Sequence, residues 1–320
     1  MDAENRTVLY IDLNHWINLA KARKNGDFTL EQRLEKLVDS GKVVIPVSAV
    51  HIMEACAIRK NQQRQDLATM LQSLSRGFVL RNLENVRYIE MESRIGNHYG
   101  ISMPQDIRPF VLTKGYLRAF GEPSIDFSTC REVDHVKPDE AEREFLQLLD
   151  DKHSLDLILS EYVPKFAKES AEAELIRLGH NSARLAAKGK NLREAEKDCV
   201  LELVKEFTEL AVKVAKNLKL SDDLLKSNPL KHFCTKVYMV SVPTVNVWSK
   251  LSLYLSRCIT EDITVNHLHD MGHLAVALPY CDIVVADSEM AHLLTFRKLN
   301  DTYSTIVYSS LEMCIDKLKG

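Results

Sequence analysis

Val8-Leu9-Tyr10-Ile11-Asp12-Leu13-Asn14 is the stretch on which the reading of this chain turns. Its unbroken apolar run reads as a strand buried on both faces, as strands of parallel sheets are. The run ends on an aspartate. Asn14 to Arg23 then continues at helical spacing, with Trp16, Ile17, Leu19 and Ala20 as the apolar positions. Thr29 to Ser40 is a second amphipathic helix, built on Leu30, Leu34, Leu37 and Val38. Thr29 is its expected N-cap, with Gln32 three residues on, and Gly41 its stop. Val43 to Val47 is another continuous apolar run, and Ser48 is placed to cap the helix that follows. Strand, helix, helix, strand, helix predicts a parallel sheet with helices on its faces. Tyr10 and Trp16 read as core.

The same alternation resumes near the C-terminus. A helix is expected over Asp270 to Leu278, ended by Pro279, then a strand over Ile283 to Ala286 and a helix over Glu289 to Arg297. A last strand follows over Thr305 to Tyr308 and a last helix over Ser310 to Lys317. Between the halves, Ile101 to Lys137 is irregular, with Pro104, Pro109 and Pro123. Pro138 to about Leu220 is almost wholly helical in pattern, with a wide apolar stripe from Cys199 through Phe207 to Leu218. The expected architecture is α/β: residues 1–100 and 236–320 form a discontinuous core, and residues 101–235 a mainly helical insertion. Such an insertion would serve as a substrate wall, a homo-oligomer interface or a dock for a regulatory protein.

Composition narrows the class. Hydrophobic residues make up 45% of the chain, which makes it globular. A net charge of -3 supplies no global attraction to nucleic acid or to an anionic membrane, so any nucleic-acid contact must come from a local basic face. The 7 cysteines are scattered without a CxxC pair, the usage of a cytoplasmic protein with reduced thiols. No apolar run reaches the roughly 20 residues of a membrane span, and Met1 to Arg6 is polar and charged, unlike a signal peptide.

Four acids carry the chemistry. Asp12 and Asp287 end apolar strands, Glu54 lies in the helix after the second strand, and Asp270 is expected at the start of the helix that feeds the Asp287 strand. In open α/β sheets, sites lie outside the carboxyl ends of the strands. Carboxylates gathered there repel each other unless a cation joins them, and Mg²⁺ or Mn²⁺ prefers such oxygen ligands. Asn14, Ser48 and His269 are second-tier candidates that could orient a water, a ligand or a phosphate. The bland readings are turn former or helix cap for each Asp, and cap for Asn14 and Ser48. Asp282, at the start of its strand, reads as a turn residue.

Four blocks in this order resemble PIN-domain nucleases. Asp12-Leu13-Asn14-His15-Trp16-Ile17 is similar to their opening D-x-N-x-hydrophobic signature. Ile45-Pro46-Val47-Ser48-Ala49-Val50-His51-Ile52-Met53-Glu54 is similar to the second block. Asp270-Met271-Gly272-His273-Leu274-Ala275-Val276-Ala277 resembles the third, and Ile283-Val284-Val285-Ala286-Asp287 the fourth. The resemblance implies a Rossmann-like sheet and a nuclease that hydrolyses phosphodiester bonds, most often in single-stranded RNA. Asp12, Glu54, Asp270 and Asp287 would hold Mg²⁺ or Mn²⁺. The sequence departs from the family in the long separation of the second and third blocks, and in Ala286 where Thr or Ser is commoner. The alternative is a PIN-like scaffold that has kept the fold as a protein-interaction module.

The histidines offer a rival metal site. His269 and His273 stand at i, i+4, a spacing that suits zinc. The plainer reading makes His273 a packed residue and His267 a solvated loop residue. Arg59, Lys60 and Arg64, beyond Glu54, could track a nucleic-acid backbone, although such charge runs are usually solvated faces.

Overall fold

The computed structural model describes residues 6–121, 154–160, 207–220, 242–258, 264–296 and 298–318. In chain order the elements are β1 (Thr7–Ile11), α1 (Leu13–Lys24), α2 (Thr29–Asp39), β2 (Val43–Val44), β3 (Val47–Ser48), α3 (Ala49–Cys56) and α4 (Asn61–Ser75). They continue with β4 (Phe78–Leu80), α5 (Leu83–His98), α6 (Arg108–Val111), β5 (Leu112–Lys114), a 3-10 turn (Tyr116–Phe120) and α7 (Ser154–Ser160). After a helical stretch at 207–217 come α8 (Pro243–Cys258), α9 (Val265–Tyr280), β6 (Ile283–Val285), α10 (Ser288–Phe296), α11 (Leu299–Tyr303), β7 (Ile306–Tyr308) and α12 (Leu311–Leu318).

The chain divides into two units. The first holds Met1–Asn82, Val111–Pro164 and Tyr280–Gly320; the second holds Leu83–Phe110 and Lys165–Pro279. These edges differ from those expected from sequence. The stretches 83–100 and 236–279 go with the second unit, and 111–164 goes with the first.

The first unit is α/β, as expected. Its main sheet has the order β2-β1-β6-β7 and every pairing is parallel. Leu9, Tyr10 and Ile11 stand beside Ile283, Val284 and Val285. Val8, Leu9, Tyr10 and Ile11 are fully buried, which explains why the run is apolar at every position rather than at alternate ones. Trp16 lies in the same core, and its indole N–H donates to the Ile11 carbonyl at 2.9 Å.

The expected strand over Val43 to Val47 is two strands. Val43–Val44 pairs with β1, whereas Val47–Ser48 pairs with β4, which in turn runs antiparallel to β5 in a second, three-stranded sheet. The break falls at Ile45-Pro46, where the proline has no N–H to give to a ladder. Thus only the first half of the expected strand belongs to the main sheet. A smaller correction concerns α2: its N-cap is Phe28, not Thr29, and no side chain caps it, although Asp27 Oδ1 accepts from the Thr29 N–H at 3.0 Å. Gly41 ends the segment as expected, in the left-handed region at φ 72°.

α7 packs on α3 and α4, and Leu155 and Leu159 enter the core of the first unit. In the second unit, the buried Glu90 of α5 accepts from the Thr244 N–H at the start of α8, at 3.1 and 3.2 Å. Arg87, one turn earlier on α5, holds its guanidinium over the rings of Phe207 and Trp248, 5.1 and 5.0 Å from their centroids. Of the expected helical run Pro138 to Leu220, 154–160 and 207–217 are helical, and most of the rest lies outside the described residues. No helix among the described residues is long and apolar enough to cross a membrane.

Candidate metal site at the carboxyl edge of the sheet

Chain direction in the main sheet creates one special place. From β1 the chain passes through α1 and α2 to β2 on one side; from β6 it passes through α10 and α11 to β7 on the other. Connections that leave two neighbouring parallel strands in opposite directions open a crevice between their carboxyl ends. Asp12 follows β1 and Asp287 follows β6 by two residues, so both acids stand at that crevice. The Asp12 N–H donates to the Val285 carbonyl at 2.9 Å, which fixes the two strand ends against each other.

The two aspartates are used differently. Asp287 does what an Asp at a strand–helix junction ordinarily does: its Oδ1 accepts from the Met290 N–H at 2.8 Å and caps α10. That employs one of its two oxygens. Asp12 occupies the N-cap position of α1, yet its side chain makes no cap hydrogen bond. Its main-chain carbonyl accepts from the His15 N–H at 3.0 Å instead. The carboxylate, 5% exposed, receives the Asn14 side-chain amide at 3.3 Å. A buried carboxylate that does not cap its own helix is costly unless something else gathers around it, and the positive end of α1 supplies part of that.

Glu54 is half-buried on α3, whose start is fixed by Ser48. The Ser48 Oγ accepts from the His51 N–H at 3.3 Å, and the Ser48 N–H donates to His51 Nδ1 at 3.2 Å. This is a capping box with His in the place usually held by Glu or Gln. Ser48 is therefore the expected cap. His51 is fully buried and stacks on Tyr10, with ring centroids 5.1 Å apart and planes at 15°. Its Nε2 lies 2.9 Å from the Tyr10 hydroxyl. Because a main-chain N–H can only donate, Nδ1 is the acceptor; the neutral ring then carries its proton on Nε2 and gives it to Tyr10. Burial, and next the charge of Asp12, push the Tyr10 pKa well above its ordinary value; Glu54 adds to this. Both carboxylates thus bear on one phenol. A carboxylate oxygen of Asp12 and a ring nitrogen of His51 lie within 4.8 Å of each other.

The structure therefore brings Asp12 and Asp287 to one edge and sets Glu54 within electrostatic reach of the same hydroxyl as Asp12. Asp270 and His269 belong to the second unit, on α9, and both are half-buried. That helix begins five residues earlier than expected, so Asp270 is not at its start. The His267 Nδ1 accepts from the Thr264 N–H at 3.0 Å in an exposed contact, so His267 is a half-buried residue in the first turn of α9 rather than a loop residue. His273 is buried, as its packed reading requires, with Nε2 3.4 Å from Asp270 Oδ1. Asp282 holds β1 in place by accepting from the Val8 N–H at 2.7 Å, a structural part as expected.

The basic set needs correcting. Arg59 and Lys60 are exposed, but Arg64 is buried at 4%. Its guanidinium donates to the Leu159 carbonyl at 2.8 Å, Ser160 at 3.0 Å, Ile58 at 2.8 Å and Arg59 at 3.3 Å, and to Asn61 Oδ1 at 3.2 Å. It ties the carboxyl ends of α3 and α7 together and is not presented to a nucleic acid.

Sequence reading missed His51 and took Tyr10 only as core. The signal was present: Ser48-x-x-His51 has the spacing of a capping box, and Tyr10 lies two residues before Asp12, on the same face of its strand. No family model, no curated protein and no solved structure matches this chain. The likeness of the four blocks to PIN domains rests on the residues themselves.

Proposed function

We propose that this chain is a metal-dependent nuclease of the PIN-like type that hydrolyses phosphodiester bonds in single-stranded RNA. The observation that carries the proposal is Asp12: a buried carboxylate at the switch point of a parallel sheet, not spent on capping its helix, beside Asp287 on the neighbouring strand. The donor set fits Mg²⁺ or Mn²⁺, because Asp12, Asp287 and Glu54 offer hard carboxylate oxygens. The soft thiols of Cys56, Cys281 and Cys314 are buried and outside any disulfide. A bound divalent ion would supply a more acidic water and a counter-charge for the phosphoryl oxygens.

The chain's own residues do the rest. Asp12 and Asp287 anchor the cation to the two strand ends, and Glu54 adds a third carboxylate from α3. Asn14 holds the Asp12 carboxylate in one orientation by its amide hydrogen bond. Asp270 enters on the sequence pattern alone, as the acid of the third block. RNA as the substrate follows from the family resemblance. Buried thiols outside any disulfide suit a reducing compartment, which makes the cytoplasm the proposed location.

The test is cleavage of single-stranded RNA and DNA by the full chain with Mn²⁺, with Mg²⁺ and with chelator. The reading expects RNA cleavage that needs the ion and is lost in Asp12→Asn. Equal cleavage by the variant, or none by the wild type with any ion, contradicts it.

A further inference from the structure

The Tyr10–His51 contact links the two elements that carry the proposed carboxylate ligands, and both ring nitrogens of His51 are engaged, by Ser48 and by Tyr10. Tyr10 precedes Asp12 by two residues, so both side chains leave the same face of the strand, about 7 Å apart along the chain. His51 precedes Glu54 by three residues, so both lie on one face of α3. The imidazole is held on three sides: Nδ1 by the Ser48 N–H at 3.2 Å, Nε2 by the Tyr10 hydroxyl at 2.9 Å, and its face by the Tyr10 ring. Tyr10 and His51 are both fully buried. A buried polar contact of this kind tolerates little displacement, since moving either partner strands a donor or acceptor away from water.

We propose that the Tyr10–His51 pair is a positioning lock, which fixes the spacing between Asp12 on the first strand and Glu54 on the third helix and so sets the affinity of the site for a divalent cation. The proposal rests on the metal site described above. Outer partners that orient the ligands of a metal are commonly worth 10–100-fold in affinity. In this role both residues act through the elements they join.

Two variants separate the lock from the fold. Tyr10→Phe keeps the ring and its stacking but removes the oxygen. His51→Gln keeps the ordinary capping-box partner for Ser48 but gives up the stack and the bond to Tyr10. MnCl2 is titrated calorimetrically into the full-length wild type, each single variant, the double variant and Asp12→Asn, with thermal melts of all five without metal. The lock predicts that each single variant binds Mn²⁺ about tenfold more weakly. It predicts that the double variant is no weaker than the poorer single, because both remove one linkage. Each single variant should melt below the wild type, because its buried partner is left unpaired, yet bind Mn²⁺ more weakly at a temperature where its melt shows it fully folded, which a purely structural role would not give. Wild-type affinity in both singles overturns the lock, as does a double variant whose loss is the product of the two. If the wild type itself binds no Mn²⁺, the metal reading falls and the lock falls with it. If wild type binds, Asp12→Asn does not and the lock variants bind normally, the lock alone is wrong.

Discussion

Asp12 and Asp287 are the same residue type, each beyond the carboxyl end of a buried strand and before a helix, yet only Asp287 caps its helix. That contrast makes separable predictions. Asp12→Asn should abolish metal-dependent cleavage. It removes charge from a crowded acidic edge, so the metal-free variant should melt at or slightly above the wild-type temperature. Asp287→Asn keeps a capping oxygen while losing charge, so it should weaken Mn²⁺ binding with little change in melting. Asp287→Ala should lose the ion and also about 1 kcal/mol of stability from the missing cap. Calorimetry and melts of the three variants check both halves. A different residue governs alkaline behaviour. Burial pushes the Cys314 thiol from 9.0 up to about 12. A raised folded-state pKa means that its contribution is fully present below pH 9 and is lost as pH rises toward 12. Cys314→Ala should therefore lose less stability than wild type across that window, measured as the drop in denaturant midpoint.

At the scale of elements, the strongly patterned segments were legible and the interruptions were not. α1, α2, β1, β6 and β7 appear within a residue or two of expectation, because an unbroken apolar run or a helical stripe is a many-residue signal. Pro46 shows what was harder. The apolar run through Val43 to Val47 gave no hint that the chain would change sheets at its proline. The start of α9 was hidden for another reason. There His267 Nδ1 takes the Thr264 N–H, as His51 Nδ1 takes that of Ser48 at the start of α3, where a search for Glu or Gln finds nothing. Arg64 was misjudged because charge in a sequence says nothing of burial. Its guanidinium closes the carboxyl ends of two helices with a planar fork that lysine cannot copy. Arg64→Lys should cost on the order of 3 kcal/mol or more, since several buried carbonyls lose a donor together. Urea unfolding of the variant measures this, and a loss below about 1 kcal/mol would mean that the cap is replaceable.

For the whole molecule, the order β2-β1-β6-β7 matters more than any single motif. It joins the first and last stretches of the chain in one sheet and creates the crevice where Asp12 and Asp287 stand. That arrangement was readable in outline from alternating strands and helices. The partition was not, since residues 83–110 belong with 165–279 in the second unit. Asp270 lies there, and its place in the chemistry still rests on sequence. Asp270→Asn, titrated with Mn²⁺ beside Asp12→Asn, measures its share: a comparable loss of affinity makes it a ligand, and wild-type affinity removes it from the set.

The most direct test of the central claim is an anomalous-difference map from crystals of the full chain soaked in MnCl2. The account predicts a Mn²⁺ peak at the crevice between the carboxyl ends of β1 and β6, bonded to carboxylate oxygens of Asp12 and Asp287, and absent in Asp12→Asn. A map with no peak at that edge, or with its Mn²⁺ bound away from Asp12, would contradict it.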